Sequence, residues 1–151
     1  MSIQVLQLSR RLAVVSAVAV LGGCAMMSNM TGGSSVRLAG ALSGAQEVPA
    51  TTTSGTGSVT ANFDKGTSKL TYEVTYSGLT GPATAGHFHG PAASGQNAGV
   101  VVPFASATSP IKGEATLSAA QAADLLAGRW YANIHTARHP GGEIRGQVTA
   151  R

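Results

Sequence analysis

The sequence of 151 residues contains one cysteine, few charged side chains and few aromatic ones. A single cysteine excludes any disulfide within the chain, so the fold is not a disulfide scaffold. Charged residues make up 11% of the chain, and the basic ones are scattered. Nucleic-acid-binding proteins usually cluster theirs among aromatic residues, so we expect no nucleic-acid partner. No serine or threonine stands out beside a candidate base, which disfavours a hydrolase.

The first residues have the pattern of an export signal. An Arg-Arg pair at 10–11 precedes an apolar run at 12–21 that is too short to span a bilayer as a mature helix. The Leu-Gly-Gly-Cys motif at 21–24 resembles the lipobox of bacterial lipoproteins. That resemblance implies that residues 1–23 are a signal peptide and that the thiol of Cys24 is lipidated. A free thiol or an intermolecular disulfide are the alternatives for this cysteine.

A lipobox would place the protein in a bacterial cell envelope, attached to a membrane through Cys24. Ala25, rather than aspartate, follows the cysteine, which resembles the outer-membrane sorting rule of Gram-negative lipoproteins. We therefore predict an outer-membrane anchor facing the periplasm. Loss of the two arginines in the signal would lower the formal charge from +4 to +2, a balance that indicates no particular partner.

Residues 24–35 are small and polar with three methionines, a composition typical of a flexible tether. Thioethers can bind Cu(I), so Met26, Met27 and Met30 could pass copper to the domain. The alternative is a plain linker that happens to contain methionine. Residues 36–151 are the length of a single domain.

This domain reads as short segments rich in valine, threonine and tyrosine, separated by glycine, proline and serine. Every second residue from Leu70 to Tyr76 is apolar, the period of a half-buried strand. We predict strands at 36–42, 57–63, 69–76, 85–89, 100–102, 112–117, 129–135 and 143–148, the last two forming a hairpin. An all-β fold of two packed sheets is the natural outcome.

One short helix near 118–127 interrupts the strands. Ser118 can cap its start, Gln121 completes a capping box and Gly128 can end it. Leu125 and Leu126 would pack this helix against the sheets.

All four histidines fall in two short clusters, His87-Phe-His89 and His135-Thr-Ala-Arg-His139. In a strand, the first pair would place both imidazoles on one face, about 6.6 Å apart along the chain. Two imidazoles leave a first-row metal under-coordinated, so His135 could supply a third nitrogen from a neighbouring strand. His139, beside Pro140 in a turn, is either a fourth ligand or a bystander. An all-imidazole site suits copper or zinc, and copper binds more tightly to a given nitrogen site.

Other residues could support such a site. Glu47 and Glu143 could orient an imidazole through its second nitrogen, or be exposed or structural carboxylates. Asn133 lies on the same strand face as His135 and could hydrogen-bond near it. The alternative for the histidines themselves is hydrogen bonding within a polar cluster without a metal.

Three segments resemble the CHRD domain, first named from chordin and widespread in bacterial exported proteins. They are ALSGAQEVP at 41–49, AGHFHGPA at 85–92, and RWYANIHT with HPGGEIRGQV between 129 and 148. The likeness covers nearly all of the chain after residue 36.

Two pieces are also similar to copper-zinc superoxide dismutase, in which an H-x-H strand and a later strand histidine hold copper. The resemblance implies a Greek-key-like antiparallel β-sandwich with His87, His89 and His135 as copper ligands. Residues 90–116 contain neither histidine nor aspartate, so a dismutase-type zinc site is not available. Arg145 lies in the region of the guiding arginine of those enzymes, but its spacing to the next glycine does not match and no catalytic role is assigned to it.

Three functions are consistent with the sequence. The first is a lipid-anchored protein that holds, buffers or delivers copper, with a copper-donor or copper-acceptor protein as partner. The second is a copper-only enzyme similar to superoxide dismutase. The third is a structural or interaction domain without metal. We favour the first, a binding protein rather than an enzyme, with copper as the metal and zinc as its rival.

Overall fold

Eight antiparallel strands and one short helix make up the part of the chain that the computed structural model describes, residues 34–151. The strands are β1 (Ser35–Ser43), β2 (Thr56–Asp64), β3 (Lys69–Ser77), β4 (Ala83–His89), β5 (Val100–Pro103), β6 (Ile111–Thr116), β7 (Trp130–Thr136) and β8 (Ile144–Ala150), and the helix is α1 (Ala119–Leu126). The predicted signal at 1–23, the predicted lipidation site Cys24 and the three methionines of the predicted tether lie outside the described residues. The described residues all belong to one compact unit.

The strands form one nearly closed sheet in the order β5-β4-β7-β8-β1-β2-β3-β6. β1, β2 and β3 follow one another as hairpins, and β1 and β2 pair along nine residues each. The chain then crosses to β4, and β8 returns to lie beside β1. The prediction of an all-β, antiparallel fold with one helix is confirmed.

Alternation of apolar and polar residues decides which face of each strand is buried. Val59, Ala61 and Phe63 of β2 point inward together with Leu70, Tyr72 and Val74 of β3, while the residues between them are polar and more exposed. Asp64 closes the hairpin between these strands, because its carboxylate accepts hydrogen bonds from two backbone N–H groups of the turn.

Aromatic side chains join the two halves of the sheet across the core. The ring of Phe88 on β4 lies 5.0 Å from that of Tyr72 on β3, although four strands lie between β4 and β3 in the sheet. Phe104 contacts both rings, and Trp130 packs beside Phe88. Since edge-to-face contacts of this kind require close approach, the sheet must fold over on itself.

The helix begins and ends where the sequence predicts. Ser118 and Gln121 form the complete capping box, and Gly128 takes a left-handed φ of 69° just after the helix. Leu125 is fully buried and Leu126 partly so, which fixes the helix on the sheet. Among residues 34–151, no helix combines the length and the apolar character that crossing a bilayer requires.

Candidate metal centre

The pairing of β4 with β7 brings the two histidine segments together. His87 lies opposite Asn133, and His135 lies opposite Ala85, two residues before His87. The odd-numbered side chains of both strands therefore lie on the same face of the sheet. That face is opposite to the core face, which carries Phe88 and Trp130. The H-x-H pair and the later histidine occupy one side of two neighbouring strands.

The three imidazoles converge on a common point. One nitrogen from each of His87, His89 and His135 lies within 4.8 Å of the other two. Nδ1 of His87 is 3.2 Å from Nε2 of His135. Oδ1 of Asn133 lies 3.1 Å from Nε2 of His89 and 3.0 Å from Nε2 of His135. Asn133 thus lies within hydrogen-bonding distance of two of the rings, on the same strand face as His135, as the sequence predicts.

Backbone carbonyls fix which nitrogen carries the proton in the rings of His89 and His135. Nδ1 of His89 is 3.0 Å from the carbonyl of Ala98, and Nδ1 of His135 is 2.9 Å from the carbonyl of Pro140. A carbonyl only accepts, so each Nδ1 must be the N–H donor, and in a neutral ring Nε2 then presents a lone pair. Metal-binding histidines are oriented by second hydrogen bonds of this kind.

The histidine cluster therefore has more hydrogen-bond acceptors than N–H groups that could donate to them. Burial lowers the pKa of His87, and the neighbouring His135 and His89 lower it further. Burial also lowers the pKa of His89, which favours the neutral form of both rings. With the proton on Nδ1 of a neutral ring, the Nε2 atoms of His89 and His135 face the same amide oxygen of Asn133 with a lone pair. A cation bound among them would turn this repulsion into attraction, and the histidine cluster could hold a metal ion.

A stack of three side chains supports the cluster from behind. The ring of Tyr131 lies parallel to that of His89 at 4.8 Å, and the Arg145 guanidinium lies 3.8 Å from the other face of Tyr131. Arg145 donates hydrogen bonds to Oδ1 of Asn97 and to the carbonyl of Gln96. Trp130 and Tyr131 are both buried, Trp130 in the core and Tyr131 against the site.

Two buried carboxylates flank β7, and neither has a hydrogen bond to an imidazole. Glu143 is fully buried and accepts hydrogen bonds from Thr53, Thr80 and Thr136, so it is a structural carboxylate. Glu47 is also buried, and its Oε1 has no hydrogen-bond partner. The sequence did not indicate that Glu47 is buried. Its one relevant feature was that acidic residues are rare in this chain, so each of them is a candidate for a specific role.

Three glycines of the histidine segments are required by packing. A Cβ on Gly86 would clash with the rings of Phe104 and with Ile134, and one on Gly90 would clash with the indole of Trp130. Gly142 has a φ of 130°, and a Cβ there would clash with the carboxylate of Glu47 and the amide of Asn133. The glycines around His87 and His89 thus allow the strand carrying them to press against the core.

The structure brings together three of the four histidines. His139 lies in the turn after β7, where its backbone N–H and carbonyl pair with Thr136, and it is outside the group of converging ligand atoms. It also lacks the oriented setting that backbone carbonyls give to His89 and His135 among the described hydrogen bonds. Of the two alternatives for His139, the structure favours the bystander.

The family model for the CHRD domain matches residues 38–148 of this chain. The chain belongs to the CHRD domain family. The matched region contains every strand that contributes to the histidine cluster of this CHRD domain, as well as Glu47 and Arg145. No curated protein and no solved structure matches the chain significantly.

Proposed function

We propose that this CHRD domain protein is a lipid-anchored copper-binding protein of the bacterial cell envelope. It would hold copper through His87, His89 and His135, with Cys24 as the membrane anchor. The convergence of three imidazole nitrogens within 4.8 Å carries the proposal. The anchor and the outer-membrane location rest on the sequence at 10–25.

The preference for copper follows from the ligand set. Three imidazoles with an amide oxygen beside them form a nitrogen-rich site, and such sites bind copper more tightly than zinc. Hard cations such as Mg²⁺ and Ca²⁺ prefer carboxylates, and no carboxylate hydrogen-bonds to the three rings in residues 34–151. Zinc remains the competitor, because it also accepts three histidines.

A binding role is favoured over an enzyme because Arg145 is committed elsewhere. Its guanidinium stacks on Tyr131 and hydrogen-bonds to Gln96 and Asn97, so it is not free to guide an anion to the cluster. His87 and His135 are only half-buried, however, which leaves solvent access to the site. A copper-only enzyme similar to superoxide dismutase is therefore the second candidate.

A titration of the purified full chain with Cu(II), followed by electron paramagnetic resonance and metal analysis, tests the site. We expect one copper per chain with nitrogen hyperfine structure, lost in His87→Ala and in His135→Ala. His139→Ala is the matched control, because it removes an imidazole outside the cluster, and it should bind copper like the wild type. Copper binding that is indifferent to His87→Ala and His135→Ala would contradict the proposal and leave an interaction domain.

Two further measurements test the choice between carrier and enzyme and the lipid anchor. Superoxide turnover by the copper-loaded protein, abolished in His135→Ala, would establish the enzyme in place of the carrier. Cys24→Ala should move the protein from the membrane fraction to the soluble fraction of the cell envelope. A variant that stays in the membrane fraction would refute the lipid anchor.

A further inference from the structure

Glu47 has a buried carboxylate oxygen without a partner. The residue is 6% exposed, and Oε1 makes no hydrogen bond within the described part of the chain. Native proteins rarely bury an acceptor without a partner, because its desolvation is then uncompensated. The unpartnered oxygen of Glu47 therefore needs an explanation, and the residues around it suggest one.

An amide separates this carboxylate from the histidine cluster. Oε1 of Glu47 and Nδ2 of Asn133 both lie close to Gly142, and a Cβ on that glycine would clash with both atoms. Oδ1 of the same Asn133 side chain faces Nε2 of His89 and Nε2 of His135. The positive end of the amide dipole is therefore on the side of Glu47, and its negative end faces the cluster. An ionised Glu47 would polarise Asn133 so that its oxygen becomes a better neighbour for a cation.

The other buried charges near the cluster are already committed. Arg145 places a positive charge behind His89, and its hydrogen bonds go to the neutral oxygens of Gln96 and Asn97. Both carboxylate oxygens of Glu143 accept hydrogen bonds from threonines. A metal ion would add positive charge to a region that already holds one buried cation, and this is costly without a counter-charge. Among residues 34–151, Glu47 is the buried carboxylate with an oxygen still available.

On the basis of the metal site proposed above, we propose that Glu47 is the buried counter-charge of that site. It is a positioning residue that acts through Asn133 and makes the site prefer Cu(II) over Cu(I). The preference follows from electrostatics, because a negative charge attracts a divalent ion about twice as strongly as a monovalent one. A role in packing alone would affect both ions equally.

The test compares the affinities of the full chain for Cu(II) and for Cu(I), each measured by competition with a chelator of known affinity. In Glu47→Gln, which keeps the shape of the side chain, we expect Cu(II) affinity to fall about ten-fold more than Cu(I) affinity. The reduction potential of the bound copper should rise accordingly. Glu114→Gln is the matched control, because it removes an exposed carboxylate, and the affinity ratio should stay at the wild-type value. Glu47→Ala serves if Glu47→Gln does not fold, with the same change in ratio expected.

The outcomes distinguish this inference from the function on which it rests. If the wild type binds copper through His87 and His135 but Glu47→Gln leaves the ratio of the two affinities unchanged, the counter-charge is refuted and the metal site stands. An equal loss of both affinities has the same meaning and assigns Glu47 to packing. If the wild type binds neither ion, both proposals fail together.

Discussion

Glu143 and Glu47 are buried carboxylates beside the same strand, yet their pKa values move in opposite directions. Burial alone would raise the pKa of Glu143, but hydrogen bonds from Thr136, Thr53 and Thr80 outweigh it and hold the pKa at about 2. Burial raises the pKa of Glu47 to about 6, against the opposing charge of Arg145. The carboxylate of Glu143 is thus stabilised by hydrogen bonds from the protein, whereas that of Glu47 is not stabilised enough to offset its burial.

The difference separates a stabilising residue from the residue to which we assign a functional role. Glu143 ties the loop residues Thr53 and Thr80 to β7 and β8, far apart in sequence, through charge-assisted hydrogen bonds. Glu47 has one oxygen without a partner, and because burial raises its pKa, its ionised form makes the metal-free fold less stable. Proteins keep unfavourable buried groups mainly where function requires them, and Glu47 lies beside the histidine cluster.

Removing the Glu143 carboxylate should produce the largest effect. We expect Glu143→Ala to lower the free energy of unfolding by about 3 to 5 kcal/mol, because the hydroxyls of Thr53, Thr80 and the buried Thr136 lose their charged acceptor. Urea denaturation measures the change. Glu114→Ala, at an exposed ion pair with Lys69, is the control and should cost less than about 1 kcal/mol. Similar losses in the two variants would show that the Glu143 network adds little to stability.

Acid should weaken the fold through Glu143. Because its pKa is about 2 in the folded state and its ordinary value is 4.5, its stabilisation is fully present above pH 4.5 and lost as the pH falls toward 2. Urea denaturation at pH 5 and pH 3 should give a lower free energy of unfolding at pH 3. In Glu143→Gln this loss should be smaller. An identical acid dependence in wild type and variant would assign it to other carboxylates.

Glu47→Gln should have the smallest effect and the opposite sign. The folded protein favours protonated Glu47, so its contribution to stability is fully present below pH 4.5 and is lost as the pH rises through about 6. In the metal-free protein at pH 8, we expect the variant to be more stable than the wild type by about 1 kcal/mol. Thermal unfolding at pH 5 and pH 8 measures this difference. A variant less stable than the wild type at pH 8 would mean that ionised Glu47 is well solvated.

Much of the fold could be predicted because strands and caps leave local patterns. The alternation around Tyr72 predicts β3, and the Ser118–Gln121 pair predicts the helix with its boundaries. β7 is harder, since the strand is buried along both faces and WYANIHT shows no alternation of burial. Loops cover the face of β7 that carries the histidine cluster. A local sequence pattern cannot show that a loop distant in sequence buries this face.

For the histidine cluster, too, one part could be predicted from the sequence and another part depended on the tertiary structure. The sequence by itself determined that His87 and His89 share a strand face, because side chains alternate along any strand. Only the tertiary structure decided that His135 joins them, that His139 does not, and that Ala98 and Pro140 orient the rings. It also decided the opposite environments of Glu47 and Glu143. Periodicity is a property of neighbouring residues, whereas the solvation of a buried charge depends on groups that only the folded chain brings together.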